Sequence, residues 1–373
     1  MFFLLDWILS IFCSLFSIGC PRPPSTVIPS TPVVLPTPDA LEHVKLGIAY
    51  PPVQDDEQRA FSLPILQELD VQDIRFNEEW AFRQPTEGGS FAWSPLDERL
   101  AWASANGIQV LLTVSSNGPD WACSEIRNER SCVYNNNQDF QNYIEQLLQR
   151  YPNQIYRIQF GNEWQSDFWY VGTAQEFVAA NNIVSDAIAA YSPMTQQVLG
   201  GFTSISLRFL AGCNGFVDSF YDDEGTFFDR AFLDANCDDP AFQEVFDRID
   251  YILENANFDL LDIHLYDDFE NWSAYYMNIQ ASLSEKNKGD VPIIVSEFGG
   301  PNLNLESSDE SYQAERLGGY IQAVDDLGVA SAYFFRLIEG SQNQAHRLSG
   351  LLRTPSLAKK PSFDFFKAYS TAA

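Results

Sequence analysis

Basic residues are scarce in this chain: 22 Lys and Arg stand against 51 Asp and Glu, and the formal net charge is −29. Such an excess of negative charge repels nucleic acid and anionic membrane surfaces, so neither is expected as a partner. A polyanionic substrate such as pectin is disfavoured for the same reason. A neutral substrate meets no such repulsion.

The chain also lacks the motifs of metal and nucleotide sites. It has three histidines and neither a CxxC motif nor a histidine cluster, so no metal ion is predicted. In a doubly wound nucleotide-binding sheet, a Gly-rich phosphate loop normally follows the first strand. In this chain the first predicted strand leads instead into Tyr50, Pro51 and Pro52. We therefore expect no metal and no organic cofactor.

The first residues form an apolar segment of the length of a signal-peptide core or a short membrane anchor. Residues 2–19 contain a single charge and lead into Gly19-Cys20, but no positive segment precedes them. Gly19 before Cys20 is typical of a bacterial lipoprotein processing site, while Ser17 stands where a larger aliphatic residue is usual. We predict a signal peptide or lipoprotein leader over residues 1–20. The protein is then secreted, or held at the cell surface by a lipid on Cys20.

A segment rich in Pro, Ser and Thr follows the leader. Such a composition stays extended and predicts a linker over residues 21–40. The remaining residues, 41–373, are numerous enough for one large domain, and we expect it to be a monomer.

The cysteines suit an oxidising compartment. Apart from Cys13 and Cys20 in the leader, four remain, and four cysteines allow three disulfide connectivities. Pairing neighbours in sequence has the lowest loop entropy cost. The alternatives are a metal site, which no motif supports, and free buried thiols, which the compartment disfavours. We predict the disulfides Cys123–Cys132 and Cys213–Cys237.

From residue 44 onward, short runs rich in Val, Ile and Phe alternate with amphipathic segments. The predicted strands are Val44–Tyr50, Asp73–Asn77, Gln109–Ser115, Tyr156–Gly161, Gln197–Phe202, Leu261–Tyr266, Pro292–Glu297 and Ala330–Arg336. The predicted helices are Glu57–Leu69, Pro95–Asn106, Asp139–Tyr151, Ala174–Tyr191, Phe242–Asn255, Ala274–Lys286, Tyr312–Leu327 and Ser362–Tyr369. Strands this apolar are buried on both faces, so eight βα units predict a closed (β/α)8 barrel of the α/β class. The connection from Thr203 to Asp238 is long and predicts a loop over the barrel mouth.

In such barrels the active site lies at the carboxyl ends of the strands. Two carboxylates occupy these ends, Glu163 after strand four and Glu297 on strand seven. A carboxylate beside a buried strand is unfavourable unless it is paired or used, and its structural alternative is an ion pair with Arg75 at the barrel rim.

Two strand-end motifs identify the family that the chain resembles. They read Ile-Gln-Phe-Gly-Asn162-Glu163 and Ile-Ile-Val-Ser-Glu297-Phe-Gly-Gly. The chain resembles the clan A glycoside hydrolases, retaining enzymes on this barrel that include cellulases, β-xylosidases and mannanases. The resemblance covers roughly residues 42–370. It implies that Glu163 is the general acid/base, that Glu297 is the nucleophile, and that Asn162 binds the sugar 2-hydroxyl.

Further residues fit the same resemblance. Arg75 on strand two corresponds to the family's arginine that hydrogen-bonds the nucleophile and keeps it ionised. His264 and Tyr266, two apart on strand six, resemble a His-x-Tyr pair whose side chains contact the nucleophile or the sugar. The chain departs from the family after strand eight, where many members have a Trp. Here Phe335, Arg336 or a loop Trp takes that place.

Tryptophans near strand ends are candidates for stacking on sugar rings, since an exposed indole is otherwise unfavourable. We expect Trp164 and one of Trp121 or Trp169 to bind sugar, although packing within the loops is an equal alternative for each.

Together these observations predict retaining hydrolysis of β-glycosidic bonds in a neutral oligo- or polysaccharide by double displacement. The alternatives are a catalytically decayed carbohydrate-binding surface protein, which would have lost a carboxylate, and a transglycosylase.

Overall fold

A computed structural model of the chain describes residues 44–371, so the predicted leader over residues 1–20 and the predicted linker over residues 21–40 lie outside the described residues. Eight parallel strands form a closed barrel: β1 (Leu46–Ala49), β2 (Asp73–Glu78), β3 (Gln109–Val114), β4 (Arg157–Phe160), β5 (Gln196–Phe202), β6 (Leu260–Tyr266), β7 (Ile293–Gly299) and β8 (Ala332–Phe334). Each strand pairs with its neighbours in sequence, and β8 closes the barrel by pairing with β1. The predicted (β/α)8 fold is confirmed.

The helices cover the outside of the barrel. In the described part of the chain they are α1 (Asp56–Glu68), α2 (Trp80–Arg83), α3 (Ser94–Ala105), α4 (Asn137–Arg150), α5 (Ala174–Tyr191), α6 (Ser204–Cys213), α7 (Arg230–Asn236), α8 (Pro240–Asn255), α9 (Trp272–Glu285), α10 (Glu310–Asp326) and α11 (Pro361–Ser370). All eight predicted helices occur, with ends that differ by a few residues. None of the helices in this range is long and apolar enough to cross a membrane.

Hydrophobic periodicity explains why these segments fold as they do. All seven residues of β7 are buried, because one face lines the barrel and the other packs against helices. Helix α4 buries Phe140, Tyr143, Ile144, Leu147 and Leu148, at the spacing of one helical face. A separate buried apolar cluster comes from the barrel strands, and Tyr50 and Phe335 pack against it: Ala49, Leu111, Val198, Leu260, Ile294 and Tyr333.

The connection from Thr203 to Asp238, predicted as a loop, is largely regular structure. It contains α6, a small hairpin of Phe220–Tyr221 with Phe227–Phe228, and α7. Thr203 begins α6 by accepting a hydrogen bond from the backbone N–H of Ser206, a capping signal that the sequence prediction overlooked. We call residues 203–238 the β5 excursion.

Both predicted disulfides are formed, and both lie in connections that follow a barrel strand. Cys123–Cys132 ties a hairpin after β3, and its cysteines are 9 residues apart. Cys213–Cys237 ties the end of α6 to the end of α7 within the β5 excursion, across 24 residues. The barrel strands themselves hold no disulfide among the described residues.

Candidate active site

Glu297 lies on β7, and its carboxylate receives three hydrogen bonds from other strands. Arg75 of β2 donates from Nη1 to Oε1 at 2.5 Å, and Tyr50, directly after β1, donates to the same oxygen at 3.2 Å. Tyr266, at the end of β6, donates to Oε2 at 2.6 Å. Three donors from three strands therefore fix both oxygens of one carboxylate.

The charges around Glu297 favour its ionised form. Burial alone would raise the pKa of this carboxyl, but His264 and Arg75 beside it, together with the hydrogen bonds from Tyr266 and Arg75, hold the pKa below its usual value. Burial and the Glu297 carboxylate raise the pKa of the Tyr266 phenol, so its hydroxyl remains a donor. At neutral pH Glu297 is thus an anion held by a guanidinium that cannot lose its proton.

His264 of β6 lies between the two predicted catalytic carboxylates. Its Nδ1 is 2.9 Å from Oε1 of Glu163, and its Nε2 is 3.9 Å from Oε1 of Glu297. Asp262 and Ser296 face the same ring edge, at 3.4 Å and 3.2 Å from Nε2. Burial lowers the pKa of His264, but the carboxylates of Glu297 and Asp262 outweigh that effect and raise it to about 10. The ring is then a cation at neutral pH. Its Nδ1–H faces Glu163, whereas its Nε2–H lies closer to Ser296 and Asp262 than to Glu297.

Glu163 follows β4 in a turn whose two neighbours are anchored. Asn162 accepts a hydrogen bond from Nη2 of Arg75 at 2.6 Å. On the other side, the indole of Trp164 donates to the backbone carbonyl of Gly200 at 2.7 Å. Glu163 itself has a φ of 45°, in the left-handed region, and its side chain is 18% exposed. Glu163 is therefore the more accessible of the two carboxylates.

Six residues predicted from the sequence meet in this one site, at the carboxyl ends of β2, β4, β6 and β7. They are Arg75, Asn162, Glu163, His264, Tyr266 and Glu297. Residues from four separate strands converge here because parallel strands of a barrel all end at the same face.

The expectation that Trp164 binds sugar is wrong. Its side chain is fully buried, with ring neighbours Phe177 and Phe202 at 5.4 and 5.2 Å, and its N–H is already satisfied by Gly200. It packs against the outside of β5 and cannot face a substrate.

Trp121 and Trp169 are half-buried, and each has partners within the protein. Trp121 donates to the carbonyl of Gln84 at 3.0 Å and packs edge-on against the buried Trp80. Trp169 has the guanidinium of Arg130 at 4.6 Å from its ring. Their sugar-binding role stays a prediction.

Two further aromatic residues complete the site, and of these the sequence analysis did not assign Tyr50. Tyr50 contacts the carboxylate across 247 residues of sequence, and only its position at the end of β1 could have indicated it. Phe335 follows β8, and its ring lies 5.9 Å from the rings of both Tyr50 and Tyr266. Of the residues considered for the missing strand-eight Trp, Phe335 is the one whose aromatic ring lies beside Tyr50 and Tyr266, which both donate to Glu297.

One group in the described chain has the composition of a metal site. Ligand atoms of Asp223, Asp267 and His346 lie within 4.8 Å of one another. Arg208 already provides a cation there, at 3.3 Å from Asp223 and 4.0 Å from Asp267, and His346 bonds Asp267 at 2.8 Å. Positive charges of the protein therefore balance the two carboxylates of this group. The ring of His346 also packs against the ring of Tyr266, with the ring centroids 4.7 Å apart.

Comparison with known proteins identifies the family. The profile of Cellulase (glycosyl hydrolase family 5) matches residues 74–334, which spans β2 to β8. The chain belongs to glycosyl hydrolase family 5. It is a glycoside hydrolase of the clan A barrel type, as the strand-end motifs predict, and a glycan is its substrate. Among curated proteins, none matches the sequence.

Solved structures similar to this family 5 chain share its fold at low sequence identity. A glucosidase from Croceicoccus marinus has a TM-score of 0.64 at 13% identity, covering 88% of this chain and 67% of that one. GH5_18 from Bifidobacterium longum subsp. longum ATCC 55813 has a TM-score of 0.62 at 11% identity, covering 89% and 79%. The exo-beta-1,4-mannosidase Op5Man5 from Opitutaceae bacterium strain TAV5 has a TM-score of 0.60 at 14% identity, covering 88% and 59%. The chain thus spans about two thirds or less of the length of the glucosidase and the mannosidase.

Proposed function

We propose that this chain hydrolyses β-glycosidic bonds in an oligo- or polysaccharide of neutral backbone, with retention of configuration at the anomeric carbon. Glu297 is the nucleophile and Glu163 is the general acid/base. The observation that carries the proposal is the setting of Glu297: a buried carboxylate kept ionised by Arg75 and His264, with Glu163 on the other side of the same imidazole.

In the first step Glu297 attacks the anomeric carbon and forms a glycosyl ester. The bond to the leaving oxygen breaks as Glu163 transfers its proton to that oxygen. In the second step Glu163 takes a proton from water, whose oxygen attacks the same carbon. The ester then breaks, Glu297 is released as a carboxylate, and two inversions leave the original configuration.

Neighbouring residues support these roles. The Tyr266 and Tyr50 hydroxyls and Arg75 hold the attacking carboxylate in one orientation. The partial exposure of Glu163 gives it the contact with water that a residue acting alternately as acid and base requires. Phe335 offers an apolar ring beside the nucleophile, where a sugar face can stack.

The stereochemistry of the product tests the proposal. We expect the first product seen by NMR to be the β-anomer when a panel of β-glucan, xylan and mannan is offered, with the α-anomer arising only later by mutarotation. An α-anomer as first product contradicts a retaining mechanism, and the same panel identifies the preferred backbone.

Variants of the two glutamates separate their roles. Glu297→Ala removes the attacking atom, so all substrates should lose activity. Glu163→Ala removes only the proton donor and later base, so a glycoside with an acidic phenol should still react in the first step while the second slows. General acid/base assistance is worth about 10²–10⁴-fold.

Azide distinguishes the variants because it needs no base. It should restore turnover of Glu163→Ala and give a β-glycosyl azide, whereas with Glu297→Ala any azide product should be α. If azide rescues Glu163→Ala to an α-azide, or if both variants keep wild-type rates on natural glycan, the assignment is wrong.

A further inference from the structure

Arg336 lies at the mouth of the barrel beside the proposed active site. It comes two residues after the end of β8, and the intervening Phe335 contacts Tyr50 and Tyr266, both of which donate to Glu297. The Arg336 guanidinium is 5.8 Å from the Phe335 ring. Arg336 therefore lies next to the residues that hold the proposed nucleophile.

The guanidinium of Arg336 makes no hydrogen bond and no ion pair with any described residue. Its Nε is buried and has no partner, although the side chain as a whole is only half-buried. Three buried arginines near the barrel mouth have a carboxylate partner: Arg75 pairs with Glu297, Arg99 with Glu78 and Arg208 with Asp223. A partly buried cation without a partner is unfavourable, so a ligand group that completes its hydrogen bonds is strongly favoured.

The guanidinium of Arg336 stays protonated although burial lowers its pKa. Burial lowers the pKa of its guanidinium, while the Tyr266, Tyr50 and Glu297 side chains near it act in the opposite direction. An arginine remains charged in either case. In a chain with a net charge of −29, this is a positive charge that the protein itself leaves without a bonded carboxylate.

We propose that Arg336 binds one negatively charged substituent, a carboxylate or a sulfate, on the sugar unit that lies between Glu163 and Glu297. The inference rests on the proposed function, because it places a sugar at these two residues. The planar guanidinium donates two parallel hydrogen bonds, a geometry that fits a carboxylate or a sulfate better than a single hydroxyl.

A single anionic group agrees with the overall charge. The negative net charge of the protein repels a polymer that carries an anionic group on each sugar unit. A neutral backbone with a single anionic group is repelled far less, and that group forms an ion pair with the partly buried guanidinium of Arg336. The substrate class would be a neutral β-glycan that bears occasional acidic sugars, or an oligosaccharide with an acidic terminal sugar.

Binding of free sugars tests the inference without requiring turnover. Ligand-observed NMR titrations would compare glucuronate with glucose, galacturonate with galactose, and glucose 6-sulfate with glucose. We expect one acidic sugar to bind wild-type protein about 10- to 100-fold more tightly than its neutral counterpart, as a charge-assisted pair does. The uronate and sulfate arms show which anion is preferred.

Variants assign the preference to Arg336. Arg336→Gln should remove the preference for the acidic sugar and leave the neutral sugar within about threefold, while Arg336→Lys should keep part of it. Arg347→Gln is the matched control, because Arg347 is an exposed arginine of the same β8 to α11 connection, and its variant should bind both sugars as wild type does.

Three results would overturn the inference: no acidic sugar preferred by wild type, equal weakening of acidic and neutral sugars by Arg336→Gln, or the same loss in Arg347→Gln. The proposed function fails separately, through an inverted product or active Glu297→Ala. Retention of configuration without any acidic preference refutes only the role of Arg336.

Discussion

Among the partners of Glu297, Arg75 is the one with a permanent charge. His264 can lose its proton at high pH and the tyrosines are neutral, whereas the guanidinium remains a cation throughout the working range. It also reaches Thr113 and Asn162, so one side chain connects β2, β3 and the turn that contains Glu163.

The pH dependence of Arg75→Met follows from this contact. Arg75 lowers the pKa of Glu297, so its removal should raise that pKa and move the acid limb of the pH–rate profile to higher pH, by roughly 1–3 units. Glu297 must be ionised to attack, and activity at the acid end should fall accordingly. Arg75→Lys retains the charge and should shift the limb less. An unchanged acid limb in folded Arg75→Met would give Arg75 another role.

At the scale of residues, the sequence predicted charged groups better than aromatic ones. Glu163 and Glu297 stand at ends of apolar strands, where a carboxylate has few structural explanations. Trp164 stands beside Glu163 but is buried, because its N–H finds the carbonyl of Gly200 on the next strand. An indole suits a core and a sugar surface equally well, and no pattern in a single sequence separates the two.

At the scale of elements, the alternation of strands and helices was predictable because eight βα units repeat one hydrophobic pattern. The β5 excursion was not, since α6, the hairpin and α7 are short and depend on contacts between distant residues. Arg208 of α6 shows this: it donates to the carbonyls of Tyr221 in the hairpin and Tyr266 at the end of β6, both at 2.7 Å.

The disulfide Cys213–Cys237 should stabilise the β5 excursion more than the barrel, because the bridge closes within it. Replacing both cysteines by Ser should speed limited proteolysis within residues 214–236 and lower the melting temperature of the barrel only slightly. For a loop of this size the bridge is worth about 3 kcal/mol locally. The double variant Cys123→Ser, Cys132→Ser is the control, because it removes the other disulfide, which closes a shorter loop.

Two measurements would contradict this view of the bridge. One is a large cooperative drop in melting temperature without new cleavage in the excursion. The other is peptide mapping of the unreduced protein that finds crossed pairs or free thiols.

At the scale of the whole molecule, the barrel and its proposed chemistry concern residues 44–371, while the prediction of export rests on the first twenty residues. The apolar segment before Cys20, together with four cysteines paired in the folded domain, supports the proposal that the chain is exported.

Expression of the full chain in a bacterium with labelled palmitate tests this proposal. We expect the protein outside the cytoplasm, cleaved near residue 20, and labelled if Cys20 is lipidated; Cys20→Ser should then remove the label, and Cys13→Ser should not. Cleavage without label indicates secretion by an ordinary signal peptide. Uncleaved protein retained in the cytoplasm would refute export.

The backbone at Glu163 has a consequence for how stability and turnover are related in this protein. A residue with a side chain in the left-handed region loses about 1–2 kcal/mol relative to glycine, and here the anchored neighbours Asn162 and Trp164 hold it there. The backbone that carries the proposed proton donor therefore takes this conformation when the chain folds. Glycine at this position would relieve the strain and abolish the proposed acid catalysis, so thermal stability and activity are opposed at this one residue.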